Sequence, residues 1–148
     1  MPIVNGPIVD HGAIIEVVLG VSQSRRRLLE KHGFAVPQQV PVRVLIDTGA
    51  NVSGFAEHVF QSLDVQPFWK TTVLTPSTPI HAPYECNLYH VSFSILANGT
   101  AHDLQDCKVI STENFHPSEG IQGVIGRDLL VHRIFIYLGT ERKFSLAF

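Results

Sequence analysis

Apolar residues in this chain recur mostly at alternate positions, in short runs broken by glycine, proline, asparagine or aspartate. That period of two marks strands with one buried face. Pro2 to Val9 and Ala13 to Leu19 are rich in β-branched residues and are separated by an Asp10-His11-Gly12 turn. Val40 to Ile46 predicts a third strand, stopped at Asp47-Thr48-Gly49. Thr71 to Leu74 and Tyr84 to Leu96 predict strands flanking a connection that holds Pro76, Pro79 and Pro83. Asn98-Gly99 favours a tight hairpin turn, so Ala101 to Ile110 is expected to return antiparallel. Ile134 to Leu138 and Lys143 to Phe148 predict a closing hairpin around Gly139-Thr140. Helix signals are few. Glu57 to Leu63 and Arg127 to Val131 each predict a short helix. The polar stretch Ser22 to Gln39 reads as a long hairpin connection with one helical turn around Leu28 and Leu29. Ser111 to Gly120 reads as a loop. Many short strands and little helix predict an all-β barrel or sandwich.

Length and composition narrow the class. The chain has 148 residues, 45% hydrophobic and 16% charged, enough for a single domain over residues 1–148 with a core of its own. A net charge of −2 lacks the basic footprint of a nucleic-acid binder, and Arg25-Arg26-Arg27 then reads as a solvated loop. No apolar run approaches the ~18 residues of a membrane span. The N-terminal segment lacks the features of a signal peptide, so the expectation is a soluble, cytoplasmic protein. Two cysteines, Cys86 and Cys107, make no disulfide framework. Cys86, His90, His102 and Cys107 are the obvious metal set, but four residues along a strand span roughly 13 Å and the spacing is not that of a zinc finger. Neither metal nor cofactor is expected. A Gly-x-Ser-x-Gly elbow, a Walker loop and a His-Glu-x-x-His helix are all absent from the sequence. Gly120, Gly123 and Gly126 do not match a dinucleotide fingerprint.

The informative segment is Val44-Leu45-Ile46-Asp47-Thr48-Gly49-Ala50, an apolar strand ending in a carboxylate, a hydroxyl and a glycine. Such a strand end holds Asp47 rigidly, and Gly49 permits a sharp turn. Alone the tripeptide is weak evidence, arising by chance in on the order of 3% of chains this long. Its bland reading is a β-turn, which Asp and Gly favour anyway. A second element changes the odds. Gly123-Val124-Ile125-Gly126-Arg127-Asp128-Leu129-Leu130 again places an apolar pair before a glycine and a short helix.

With both elements in this order, the chain resembles the retropepsin-like aspartic proteases, well over Val40 to Phe148 and loosely over the N-terminal strands. The resemblance implies an acid-protease barrel with one half-site per chain and one or two short helices. It implies that Asp47 is the catalytic acid/base, that Thr48 grips its dimer mate, and that Gly49 lies along the substrate backbone. Ala50 and Asn51 complete the turn. Gly126 would pack beneath it, and Arg127 would serve as a structural ion-pair or hydrogen-bond residue. Asp128 falls where the family uses a residue structurally. The terminal strands would form the dimer sheet, and Thr75, Pro76, Ser77, Thr78, Pro79, Ile80 and His81 would form the tip of a substrate-covering flap.

Peptide hydrolysis of this kind needs two carboxyls sharing a proton, and like charges in contact cannot both ionise cheaply. One Asp-Thr-Gly per chain therefore implies a homodimer acting on a peptide or protein substrate. Two positions depart from the retroviral pattern. Asn51 stands where those proteases usually carry an acidic residue, and the flap stretch Val73 to Tyr84 has three prolines and no glycine. These departures motivate a second reading, a catalytically silent dimerisation or peptide-binding domain. A third is an unrelated β-barrel with a fortuitous Asp-Thr-Gly turn.

Overall fold

The computed structural model of the chain describes residues 1–75, 78–113 and 120–148. Alternation sets the strands as expected. In β1 (Ile3–Val9), β2 (Gly12–Val21) and β3 (Val40–Ile46), every second side chain points inward, and Val17, Leu19, Val42 and Val44 are wholly buried or nearly so. Six strands close a barrel. β3 runs antiparallel to β2 and parallel to β8 (Gly123–Ile125), and β8 pairs with the two-residue β4 (Gly54–Phe55). β4 then runs parallel to β7 (Thr100–Ser111), β7 pairs with β6 (Tyr84–Ala97), and β6 returns to β2. Phe55, Val91, Phe93, Ile95 and Val109 fill the ring.

The helix α2 (Glu57–Ser62) buries Val59 and Phe60 against this core. Phe60 stacks on Tyr89, with centroids 3.8 Å apart and planes 3° from parallel. The buried Tyr89 hydroxyl donates to the Glu57 carboxylate, so its polar end is satisfied. Burial, with the Glu57 bond and charge added, pushes this phenol up to about 12.

Two further pieces attach to the barrel. β5 (Trp69–Val73) pairs with the first half of β6, in a hairpin whose last register pair is Val73 with Tyr84. On the other side, β1 leads into a three-stranded sheet with β10 (Lys143–Ala147) and β9 (Ile134–Leu138), in the order β1-β10-β9.

Several expectations need correction. The Ser22 to Gln39 connection does join two antiparallel strands, but it holds a nine-residue helix, α1 (Gln23–Lys31), rather than one turn. The Ser22 hydroxyl caps it by accepting from the Arg25 N–H, and the Gln23 N–H donates to the Asp106 carboxylate at 3.0 Å. α1 buries no side chain, so no apolar stripe advertised it. β4 escaped notice because two residues carry no period. Its tight fit is visible in Gly54, where an added Cβ would lie 2.9 Å from both Ile110 and Thr112. β5 begins at Trp69 rather than Thr71. The terminal strands β1 and β10 pair with one another within the chain, so both edges of β10 are already occupied.

Candidate active site

The end of β3 carries the Asp47 turn, and its position is fixed from β8. The parallel register pairs Val44 with Gly123, Leu45 with Val124 and Ile46 with Ile125. It extends one step further, with the Asp47 N–H donating to the Ile125 carbonyl at 2.9 Å. The chain then reverses: the Ala50 N–H donates to the Asp47 carbonyl at 3.2 Å, and the Gly49 N–H donates to Asp47 Oδ1 at 2.8 Å. That last bond is an Asx turn, which holds the carboxylate in one orientation. Asp47 is half-buried, whereas Thr48 and Gly49 are exposed beside it.

Beneath the turn lies the second element. Gly126 is buried, and a Cβ there would come within 2.9 Å of the Ala50 carbonyl oxygen and of the Val52 backbone. Only glycine lets the two loops approach so closely. The Arg127 N–H, at the start of α3 (Arg127–Leu130), donates to the Ala50 carbonyl at 2.9 Å. Ser53, fully buried, completes the clasp. Its hydroxyl donates to Asp128 Oδ1 at 2.6 Å and accepts from the Gly126 N–H at 2.9 Å. Its own N–H donates to Asp128 Oδ2 at 2.9 Å. Asp128 thus has both carboxylate oxygens engaged in holding the loops together.

The structure therefore gathers Asp47, Thr48, Gly49, Ala50, Gly126 and Arg127 around one turn. Arg127 contributes through its main chain. Its exposed guanidinium has no ion-pair partner among the described residues, and Asn51 is exposed. Sequence reasoning missed Ser53, because a single serine seventy-odd residues from its partners leaves no signature in a pattern. The flap residues Thr75, Thr78, Pro79, Ile80 and His81 lie at the tip of the β5–β6 hairpin. Pro76 and Ser77 fall outside the described residues. Two backbone bonds are described at this tip: the Thr78 N–H donates to the Thr75 carbonyl at 2.9 Å, and the Ala82 N–H to the Pro79 carbonyl at 3.0 Å.

Neither cysteine is activated. Burial pushes the Cys107 thiol up to about 12, helped by the charges of Asp128 and Asp106 and opposed by Arg133. Cys86 is likewise raised, first by burial and then by Glu85. A thiol held protonated is a poor nucleophile. Among the described residues, no three His, Cys, Asp or Glu side chains gather as a metal site, and no helix is long and apolar enough to cross a membrane.

Solved structures resemble this arrangement. The aspartic proteinase from Irpex lacteus matches with a TM-score of 0.53 at 12% identity, over 99% of this chain and 47% of that one. The fold is that of the aspartic proteases and is retropepsin-like. A retropepsin-like aspartic protease from Rickettsia conorii matches at 0.48 and 13%, over 98% and 90% of the two chains. The Simian Foamy Virus (mac) protease matches at 0.46 and 11%, over 80% and 92%. No family model and no curated protein sequence matches the chain. The likeness is one of fold.

Proposed function

We propose that two copies of this chain form an aspartic endopeptidase, each contributing one Asp47. The observation that carries the reading is the anchored carboxylate. Oδ1 is held by the Gly49 N–H on a turn fixed from both sides, while Oδ2 has no partner among the described residues. One chain aligned with just under half of a longer aspartic proteinase fits a half-site.

In the dimer the two Asp47 side chains share one proton. The ionised carboxylate takes a proton from a water molecule as that water attacks the scissile carbonyl carbon. The protonated partner gives its proton to the carbonyl oxygen, and a tetrahedral diol forms. The Asp47 that took the water proton then gives it to the amide nitrogen while its partner takes a proton from a diol hydroxyl; the C–N bond breaks to a carboxylic acid and an amine, and the pair again holds one proton. Activity requires one protonated carboxyl, so the rate is highest at acidic to mildly acidic pH and falls as both ionise.

The test is cleavage of a diverse peptide mixture at about pH 5, wild type beside Asp47→Asn, read by mass spectrometry. Cleavage present in the wild type and absent in the variant is the expected outcome. Cleavage that persists in Asp47→Asn would remove Asp47 from the chemistry. Silence in both, with the protein folded and dimeric, would favour a non-cleaving peptide-binding domain. That second reading draws on exposed Asn51, the guanidinium of Arg127 without an ion-pair partner among the described residues, and the glycine-free flap.

A further inference from the structure

α1 lies against the barrel without burying a side chain. Gln23, Arg25 and Leu29 are turned part-way inward, with the Arg25 guanidinium donating to the Asp64 carbonyl at 3.1 Å. Arg26 pairs with Glu30 at 3.9 Å. Ser24, Arg27, Leu28 and Lys31 face water, and their spacing of three and four puts them on one side of the helix. Arg27 and Lys31 have no ion-pair partner among the described residues, and Leu28 is 57% exposed. Between Ser22 and Gln39 four Lys or Arg residues meet a single carboxylate, in a chain whose net charge is −2. The segment is a basic island on an acidic protein.

The end of the helix adds an aromatic ring. The Phe34 N–H donates to the Leu29 carbonyl at 2.9 Å and the Gly33 N–H to the Glu30 carbonyl at 3.1 Å, with Gly33 at a φ of 72°. This paired closure around a left-handed glycine is the Schellman motif. The residue after the glycine commonly packs back on the last turn of the helix, yet Phe34 is 66% exposed. A backbone fixed by two hydrogen bonds thus holds an aromatic ring out in water, three residues from an unpaired lysine. No cleft accompanies it. The cavity beside α1 is lined by Gln23, Arg26, Val36 and Pro37 and by none of Arg27, Leu28, Lys31 or Phe34. A folded partner would have to supply the matching hollow. A lipid headgroup layer moulds itself round protruding apolar side chains, while its anionic groups meet the cations beside them.

We propose that α1 and Phe34 form a peripheral docking site for an anionic lipid surface. Leu28 and Phe34 enter the headgroup boundary, and Arg27 and Lys31 meet its negative charge. The nine-residue helix lies on such a surface and does not cross it. The placement leaves the Asp47 turn clear. α1 belongs to the connection that leads into the start of β3, Asp47 follows the end of that strand, and Val40 to Ile46 spans roughly 20 Å. The docking site therefore stands whether or not Asp47 is catalytic.

The test is co-sedimentation of the full chain with phosphatidylcholine vesicles containing about a third phosphatidylserine, at about 0.1 M salt, beside vesicles of phosphatidylcholine alone. Binding is expected to the first and not to the second. Arg27→Glu combined with Lys31→Glu should weaken it about 100-fold, and Phe34→Ser about 10-fold. Trp69→Ser, at the other strongly exposed aromatic, should change little, since its neighbour Lys70 is already paired with Glu85 at 3.0 Å. An environment-sensitive dye on Phe34→Cys should shift its emission to the blue on the anionic vesicles. Wild type that sediments with neither vesicle overturns the proposal, as does equal binding by wild type and every variant. A loss confined to Trp69→Ser would move the contact to β5 and overturn it too. Binding to polyglutamate but to neither vesicle would give α1 an acidic protein partner in place of lipid. Should the charge-reversed variant fail to fold, Phe34→Ser and the dye decide.

Discussion

The Asp47 turn and the tip of the β5–β6 hairpin are both loops, yet they are built on opposite principles. The turn is held from below by Ile125, Gly126, Arg127 and the Ser53–Asp128 clasp, with backbone N–H groups and a buried hydroxyl all paired. The tip is held by its own short turns and by the Thr75–Thr78 hydroxyl pair at 2.6 Å, and it presents Ile80 at 85% exposure. On the proposed function, the reacting carboxylate would sit where long-range contacts fix it, and the exposed apolar tip would leave room for an extended substrate to adjust. In this barrel, distance along the sequence separates the two: the clasp joins residues about 75 apart, whereas the bonds described at the tip join residues three apart.

Substitutions can set these regions against each other. Gly126→Ala should have the largest effect, because its Cβ meets backbone rather than a flexible side chain. A loss of about 3 kcal/mol is expected, read as a drop of about 10 °C in thermal midpoint, together with loss of cleavage. Ser53→Ala comes next. It removes two hydrogen bonds in a buried place and leaves the Gly126 N–H unpaired, at a cost of about 2 kcal/mol by denaturant titration.

Cys107→Ala tests the alkaline limit of the anchored side. The unfolded thiol loses its proton near its ordinary value of 9.0, while the folded one keeps it to about 12. Its contribution to stability is therefore complete below the lower value and falls as pH rises toward the upper one. The variant should show a shallower decline of thermal midpoint across that window. A decline as steep as that of wild type would assign the loss to Tyr89, which is also raised to about 12. The smallest stability effect is expected at the tip: Ile80→Ser should change stability by less than about 0.5 kcal/mol. If the tip contacts substrate, the same variant raises KM several-fold with kcat retained. A large loss of stability would show that the tip is packed after all.

What could be read from the residues follows the same divide. β2, β3, β6 and the Asn98-Gly99 hairpin were legible because alternation and turn chemistry are local, and Asn98 and Gly99 indeed take the positive φ values of 51° and 76° that such a turn uses. The Asp47 and Gly126 elements were legible as motifs. The Ser53–Asp128 clasp was not, since a hydrogen bond between distant polar residues leaves no period. α1 was hidden by its lack of a buried face, and β4 by its length. The place of β9 at the end of the strand order, with β10 as its one partner among the described residues, was equally invisible. Alternation reports which face of a strand is buried, never which side lacks a neighbour.

The pairing of the chain ends has a mechanical consequence. Ile3 lies opposite Ala147, and the Phe148 N–H donates to the Pro2 carbonyl at 3.1 Å, so the two ends leave from the same end of an antiparallel ladder. Tension applied there loads that ladder as a zipper, breaking one rung at a time rather than shearing all together. The terminal sheet would peel while the barrel stayed closed, because β2 to β8 carry no part of that load until β1 is stripped. Pulling on its ends would therefore undo this protein in two steps, a soft one that frees β10 from β1 and a stiff one that opens the barrel.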